Sequence, residues 1–376
     1  MSRTPSPMNL RQRMRMKPTG EGNDGAKASE SSDGMESGTG EPTSGIILVD
    51  KPSGVTSHDV VAAVRSGLSM RRVGHAGTLD PMATGLLVVG FGQATRLLTV
   101  IVGHDKTYKA TIRLGLGTTT DDADGDLLPV RPGAAQRVDE LTAQGLQDLI
   151  DGCFTGWIEQ VPDAFSAIKV NGRRAYDLAR AGQKVKLEPR RIRIASFRLL
   201  DFRRVDLPDL GVKVVDADVE VTCSSGTYIR ALARDLGEHL DLGGHLTALR
   251  RIRVGSFDLE NSDLASRVLG GHAVPHTYRN RQGQTVVRSR MVLDRDRQAM
   301  LDGSLSLVQA ARMTMPVLNL DAEQAARVAN GGFLDLSVTG PTAALAGPEG
   351  RQRLAAILVP SPRGGVKPDV VFPPEA

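Results

Sequence analysis

Cysteine and aromatic residues are scarce in this chain. Of 376 residues two are cysteine, Cys153 and Cys223, one is tryptophan and four are tyrosine. Two distant cysteines make no disulfide framework and no metal-like spacing, which points to a reducing, cytoplasmic setting. The seven histidines form no ligand cluster. His272 and His276 stand four apart, but no acid or cysteine joins them, so no zinc site and no other metal is expected. No apolar run approaches ~18 residues, so no membrane span is expected. The basic N-terminus (Arg3, Arg11, Arg13, Arg15, Lys17) is followed by no apolar segment, unlike a signal peptide. The patterns GxxxxGK[ST], HExxH and GxSxG are all missing, which removes common nucleotidase, metalloprotease and hydrolase classes. Neither charge sign dominates: 47 Lys and Arg against 43 Asp and Glu give +4 and a pI near 9.2. That balance permits an anionic partner without demanding one.

The length suits two folded domains and a tail. Residues 1–44 hold no aromatic residue, and six basic and six acidic residues cancel. Such a segment buries too little apolar surface to order itself and is expected as a disordered tail. Order is expected from Gly45. GIILVD reads as a buried strand, and Thr56 or Ser57 can cap a helix over HDVVAAVRSGLSM. TGLLVVGFG and the alternating KTYKATIRLGLG read as strands and ATRLLTVI as a helix. Val138–Cys153 has the period of one helix. Arg191–Leu200 and Val212–Cys223 read as strands, Tyr228–Leu240 as a helix and Leu246–Leu259 as a strand. Strands and helices alternate irregularly, which predicts a mixed α/β or α+β domain, not a strict βαβ repeat. Residues 261–292 lose the pattern and read as a linker or insert. Residues 293–376 read as a small β-rich, barrel-type domain with a helix near Ala322–Ala329 and strand-like runs FLDLSV, AALAG, LAAILV and VVF.

Candidate chemistry is sparse. GLGTTTDDADG, from Gly115, lacks the third glycine of a dinucleotide loop. Its Asp122, Asp124 and Asp126 alternate as in a calcium loop, but the twelfth position is Gly133 instead of glutamate, so a solvated acidic turn is expected. From Lys169 to Arg193 nine basic residues face Asp177 and Glu188. That run includes Lys169, Arg173 and Arg174 and interleaves Tyr176, which suits an arm that clamps phosphates better than a plain solvated face. One carboxylate stands alone among small residues: Asp80 in GHAGTLDPMATGLL. A lone acid of this kind needs a cationic partner. Arg230, in SSGTYIRALARDLG, could hold it ionised by a bidentate pair. Pro81 keeps Asp80 out of helical geometry, and Gly77 and Gly85 permit close approach. One nucleophile-capable carboxylate, aromatic rings for stacking (Tyr108, Tyr228) and cations for phosphate fit cofactor-free chemistry on a nucleobase or sugar.

At these residues the sequence resembles a known family. DKPSGVTS (50–57), GHAGTLDPMATGLLVV (74–89), DKTYKATIRLG (105–115) and SSGTYIRALARDLG (224–237) are similar, in order and spacing, to the motifs of TruB-type tRNA pseudouridine-55 synthases. PDAFSAIKVNGRRAYDLARAG (162–182) and HLTALRRIRVGSF (245–257) extend the resemblance over about 45–260. It implies an α+β fold with a mixed, largely antiparallel sheet, an RNA-clamping insertion at 162–190 and a small PUA-like C-terminal domain. It implies isomerisation of uridine 55 in the T-arm stem-loop of tRNA by a monomer without cofactor. Asp80 would attack the flipped nucleotide, Tyr108 would stack on uracil, and Arg230 would pair with Asp80. Tyr228 and Leu249 would line the pocket, His75 would fill the gap in the T-loop stack, and Lys51 matches the lysine of the first motif. Lys169, Arg173 and Arg174 would contact RNA. The alternative is a tRNA-folding chaperone with catalysis secondary or absent.

Overall fold

The computed structural model describes residues 42–162, 187–280 and 282–374, with the backbone of two short strands at 169–170 and 173–174. The tail expectation and most of the 162–190 insertion fall outside the described residues.

The first strand, β1 (Gly45–Lys51), carries four consecutive apolar residues, Ile46–Val49, all buried. It is followed by α1 (Ser57–Leu68), capped by Thr56 through a reciprocal capping box with Asp59. Next come β2 (Val73–His75), β3 (Thr84–Phe91) and the short α2 (Leu98–Ile101). Strand β4 (Lys106–Leu114) alternates from Tyr108 onward. Tyr108, Ala110, Ile112 and Leu114 face a core, while Lys109, Thr111 and Arg113 meet Glu260, Asp218 and Asp216 on the other face. A period of two on a half-wet strand produces this division.

The single helix expected over Val138–Cys153 is two: α3 (Ala134–Glu140) and α4 (Ala143–Cys153). Leu141 is extended, and the Thr142 hydroxyl accepts from the Gly145 N–H at 3.1 Å, so a threonine cap restarts the helix. Strand β5 (Gly156–Gln160) precedes two short paired strands, β6 (Lys169–Val170) and β7 (Arg173–Arg174). The long hairpin of β8 (Arg190–Leu207) and β9 (Val212–Cys223) leads to α5 (Ile229–His239). Then follow β10 (Gly244–Val254), β11 (Phe257–Asp258), α6 (Ser262–Ala265) and β12 (Val268–Leu269).

Among the described residues these strands form one sheet in the order β12-β1-β3-β10-β4-β9-β8-β5, with β2 beside β3 and β11 beside β10. Its neighbours are antiparallel except β12 with β1 and β3 with β10. The fold is α+β with a mixed, largely antiparallel core. Its α3–α5 side is filled by Leu146, Ile150, Leu232 and Leu236 against β4, β8 and β9.

Most of residues 261–292, read as linker or insert, falls in an antiparallel hairpin of β13 (Gly271–Arg279) and β14 (Thr285–Leu293). After it come α7 (Arg297–Asp302), α8 (Leu307–Thr314), β15 (Val317–Leu320) and α9 (Ala322–Ala329). Strands β16 (Thr342–Ala346), β17 (Arg353–Pro360) and β18 (Val366–Val371) join β15 in a second sheet, ordered β15-β16-β17-β18. FLDLSV is not a strand. Leu334 bridges Val366 alone, and Leu334, Leu336 and Val338 satisfy their apolar demand by packing on α9 and this sheet. One core joins the two sheets: Ile46, Leu86 and Phe257 pack with Leu305, Leu345, Ile357 and Phe372. No described helix is long and apolar enough to cross a membrane.

Candidate active site

The loop between β2 and β3 carries Asp80, and four contacts fix its backbone. The Ser57 hydroxyl, in the first turn of α1, accepts from the Leu79 N–H at 2.8 Å and donates to the Leu79 carbonyl at 3.1 Å. The Pro81 carbonyl accepts from the Gly54 N–H at 2.8 Å and from Lys51 Nζ at 3.2 Å. A proline at 81 has no N–H to satisfy and holds Asp80 extended. Asp80 is thus presented from a gripped turn, with its side chain about one-third exposed (36%).

Arg230 arrives from α5. It is buried, and its Nε donates to Asp80 Oδ2 at 2.9 Å while Nη1 donates to the Thr120 carbonyl at 2.8 Å. Asp122 Oδ2 lies 3.7 Å from the same Nε. One turn along α5, Arg234 pairs with Asp121 at 3.2 Å. The acidic loop expected to be solvated is therefore split. Asp124 and Asp126 are exposed, but Asp121 and Asp122 turn inward to the α5 arginines. Within it, Asp122 Oδ1 accepts from the Thr120 hydroxyl at 2.5 Å and from the Asp124 N–H at 3.1 Å. No group of acids, histidines and cysteines among the described residues is arranged to hold a metal.

Between the Asp80 loop and the start of α5 lies a cavity of about 290 Å³. That is at the small end of ligand pockets, which run from about 300 Å³ upward. Tyr108, Leu249 and Arg251 line it from the sheet, with Lys106 beside them and Tyr228 at the α5 end. Register explains this grouping: Arg251 on β10 lies opposite Tyr108 on β4 and Gly85 on β3. A Cβ at Gly85 would sit 2.2 Å from the Arg251 carbonyl oxygen, so this crossing requires glycine. Among the described lining residues Asp80 is the one carboxylate, facing Lys106, Arg230 and Arg251.

Burial controls the protonation of these groups. It pushes the Tyr108 hydroxyl above its ordinary range, opposed by the Arg251 charge, so Tyr108 is a neutral phenol near pH 7. Burial and the Arg251 charge lower Lys106 to about 8, and its ammonium donates to the Val102 and His104 carbonyls, each at 2.6 Å. Arg251, 1% exposed, donates through Nε to the Leu86 carbonyl at 2.8 Å and through Nη2 to that of Gly77 at 3.0 Å.

Of the residues singled out in the sequence, Asp80, Tyr108, Tyr228, Arg230 and Leu249 share this cavity. His75 ends β2, five residues before Asp80, with a buried Nδ1 that has no hydrogen-bond partner. Burial holds His75 below the usual histidine range. Lys51 is fully buried behind the loop, and its Nζ also donates to Pro52 and Val55 carbonyls at 2.9 and 2.7 Å. Burial lowers it to about 8 against the pull of Asp80 and Asp59. Lys169 and Arg174 pair across β6 and β7, Arg173 with Val170, and their side chains lie outside the description.

Three contributors were not singled out. Lys106 lies two residues before Tyr108, so the period of two in KTYKA could have found it. Arg251 was one basic residue among several. Gln160, 1% exposed, accepts from the Tyr228 N–H at 2.9 Å and donates to its carbonyl at 3.0 Å, and no local pattern marks it.

Comparisons with known proteins identify the family. The profile described as "TruB family pseudouridylate synthase (N terminal domain)" matches residues 65–229. The profile "tRNA pseudouridylate synthase B C-terminal domain" matches residues 230–269. A tRNA pseudouridine synthase B of Bifidobacterium longum (strain DJO10A) is 46% identical, over 88% of this chain and 98% of its own length. That of Thermobifida fusca (strain YX) is 45% identical, over 87% and 98%. Among solved structures, a Cbf5-Nop10-Gar1 complex superposes with a TM-score of 0.58 at 21% identity, covering 88% of this chain and 85% of that one. At that identity the likeness speaks for the fold alone.

Proposed function

This chain belongs to the TruB family of pseudouridylate synthases and isomerises uridine in tRNA, and from that premise we propose that its target is uridine 55 of the T-arm, with Asp80 as nucleophile. The observation that carries this reading is the Asp80–Arg230 pair at the mouth of a base-sized cavity. The reaction is an isomerisation. The N1–C1′ bond breaks, the base turns, C5 bonds to C1′, and the proton on C5 leaves while N1 gains one. No redox partner or external group is consumed.

Each residue then has a task. Extrusion of the nucleotide from a folded tRNA elbow costs a few kcal/mol. His75 would take the vacated place in the T-loop stack. Leu249 and Tyr228 would bound the base and Tyr108 would stack on it. A neutral Tyr108 phenol is a poor base, so stacking on the uracil is its role. Arg230 orients the Asp80 carboxylate for attack and steadies the departing base as charge develops. Lys51 would act through the backbone, holding the Pro81 carbonyl and so the Asp80 turn. Lys169, Arg173 and Arg174 would neutralise tRNA phosphates along the insertion, which offsets part of the extrusion cost.

The test is release of tritium from C5-labelled uridine in an unmodified tRNA transcript, with the product mapped along the RNA. One equivalent released, with pseudouridine at position 55, is expected. Pseudouridine elsewhere in the tRNA would overturn the position. Tight tRNA binding without any release would favour a folding chaperone.

A further inference from the structure

The hairpin of β13 and β14 has no part in the cavity, yet its composition is unusual. Residues 271–293 contain four arginines and two histidines and no aspartate or glutamate. Its register pairs His276 with Arg288, Val274 with Arg290 and Tyr278 with Val286. Residues directly opposed in an antiparallel pair share a face. One face therefore carries His276, Tyr278, Arg288 and Arg290. The rings of His276 and Tyr278 stack, with centroids 6.1 Å apart and 18° between planes, and both residues are exposed. Arg279, close to the turn, is exposed as well.

The root of the hairpin is built into the fold. Met291 is buried under α1 with Val60 and Leu301, and Arg288 pairs with Asp59 in the first turn of α1. Asp59 is two residues from Ser57, whose hydroxyl clasps Leu79 beside Asp80. The hairpin thus stands on the helix turn that holds the catalytic loop. Among the described residues Arg279 and Arg290 have no carboxylate partner. Arg290 lies on the ring-bearing face and Arg279 on the opposite face near the turn, so the two flank the exposed stacked rings on an arm suited to RNA, with phosphates for the guanidiniums and bases or riboses for the rings.

We propose that this hairpin is a second RNA-contacting arm, in which Arg279 and Arg290 take tRNA phosphates and the His276–Tyr278 pair stacks on the same RNA. The inference rests on tRNA being the substrate, as argued above.

The experiment measures binding of the full chain to an unmodified tRNA transcript over a range of salt concentrations. For Arg279→Ala/Arg290→Ala the dissociation constant is expected to rise about tenfold near 0.1 M salt, and the slope of log K against log salt to flatten by about 1 to 2. Arg279→Lys/Arg290→Lys should restore the slope, which separates lost charge from a damaged hairpin. Tyr278→Ala should weaken binding with the slope intact. A double alanine variant with wild-type affinity and slope would sink the proposal, since a protein or lipid partner for this face leaves tRNA binding untouched. Failure of wild type to bind or isomerise tRNA would instead strike the functional reading, so the two failures are distinguishable.

Discussion

Asp80 and Arg230 stand 150 positions apart in the chain and meet at 2.9 Å, Oδ2 to Nε. The pair exists because two unrelated pieces of backbone are each held rigid. The Asp80 turn is clasped by Ser57 and Lys51, and the start of α5 is clasped by Gln160 on the Tyr228 peptide. A partly exposed carboxylate beside a buried, multiply bonded cation is the geometry that the proposed nucleophile requires.

Asp80→Asn keeps the size of the side chain and removes its charge. Pseudouridine formation is expected to fall by at least about 10⁴-fold, with tRNA affinity within a few-fold of wild type. Tritium release and filter binding on the same preparation decide this. Retained turnover would remove Asp80 from the role of nucleophile.

Arg230→Lys keeps a positive charge and loses the planar fork that serves Asp80 and the Thr120 carbonyl together. The single-turnover rate should drop roughly 10²-fold. Stability should fall by about 2 kcal/mol, because a buried ammonium cannot remake the bonds to Asp80 and the Thr120 carbonyl together. A variant with a normal rate would mean that the pair is structural only.

Lys51→Met tests whether this lysine binds substrate or supports the loop. Three carbonyls lose a donor, so a loss of about 2–3 kcal/mol is expected with the Kd for tRNA unchanged. The sign with pH is specific. Lys51 and Lys106 sit at about 8 in the fold against 10.5 in the unfolded chain. Between those values the unfolded chain binds more protons, so their contribution to stability rises with pH. Urea titrations from pH 7.5 to 10.5 should show a shallower rise for Lys51→Met than for wild type. Weakened tRNA binding in a fully folded variant would return Lys51 to the substrate.

Three histidines set the acid side. His75, His104 and His245 are all lowered, chiefly by burial. As pH falls below 6.5 the unfolded chain takes up these protons first, so stability drops through that window. His245 is the most deeply buried of the three, and its Nδ1 lies 2.7 Å from the Leu116 carbonyl oxygen. His245→Asn should flatten the dependence of melting temperature on pH between 5 and 6.5. A slope identical to wild type would assign the acid loss to carboxylates instead.

Local chemistry was legible in the sequence where the signal was local. Period two placed Tyr108 on the inner face of β4, the Thr56 cap started α1, and Ala322–Ala329 was bounded correctly by its own pattern. A lone Asp before Pro81 announced a missing cation, and the need for charge compensation pointed to Arg230. What depends on distant chain was not legible. Asp121 and Asp122 look like any solvated acids until α5 places two arginines against them. Gln160 acquires its task only because β5 ends beside Tyr228. The Thr142 cap lies inside one continuous apolar period, which hides the break between α3 and α4. The hairpin at 271–293 hid because both its faces are largely exposed, so no apolar residue recurs at every second position to mark a strand.

The core shared by the two sheets has a consequence for how the chain is made. Ile46 exchanges backbone hydrogen bonds with Leu305 at 2.9 and 2.8 Å, and Phe372 is buried beside the residues that cover β1 and β3. Arg96 donates to the Val371 carbonyl. Strand β1 therefore finishes burying its side chains only after Phe372 has left the ribosome. At synthesis rates of about 5–20 residues per second, the apolar run Ile46–Val49 waits tens of seconds for its final neighbours. A strand sealed by so distant a stretch of chain must be kept soluble over that interval, and deletion of Val371 and Phe372 would be felt at β1 and β3.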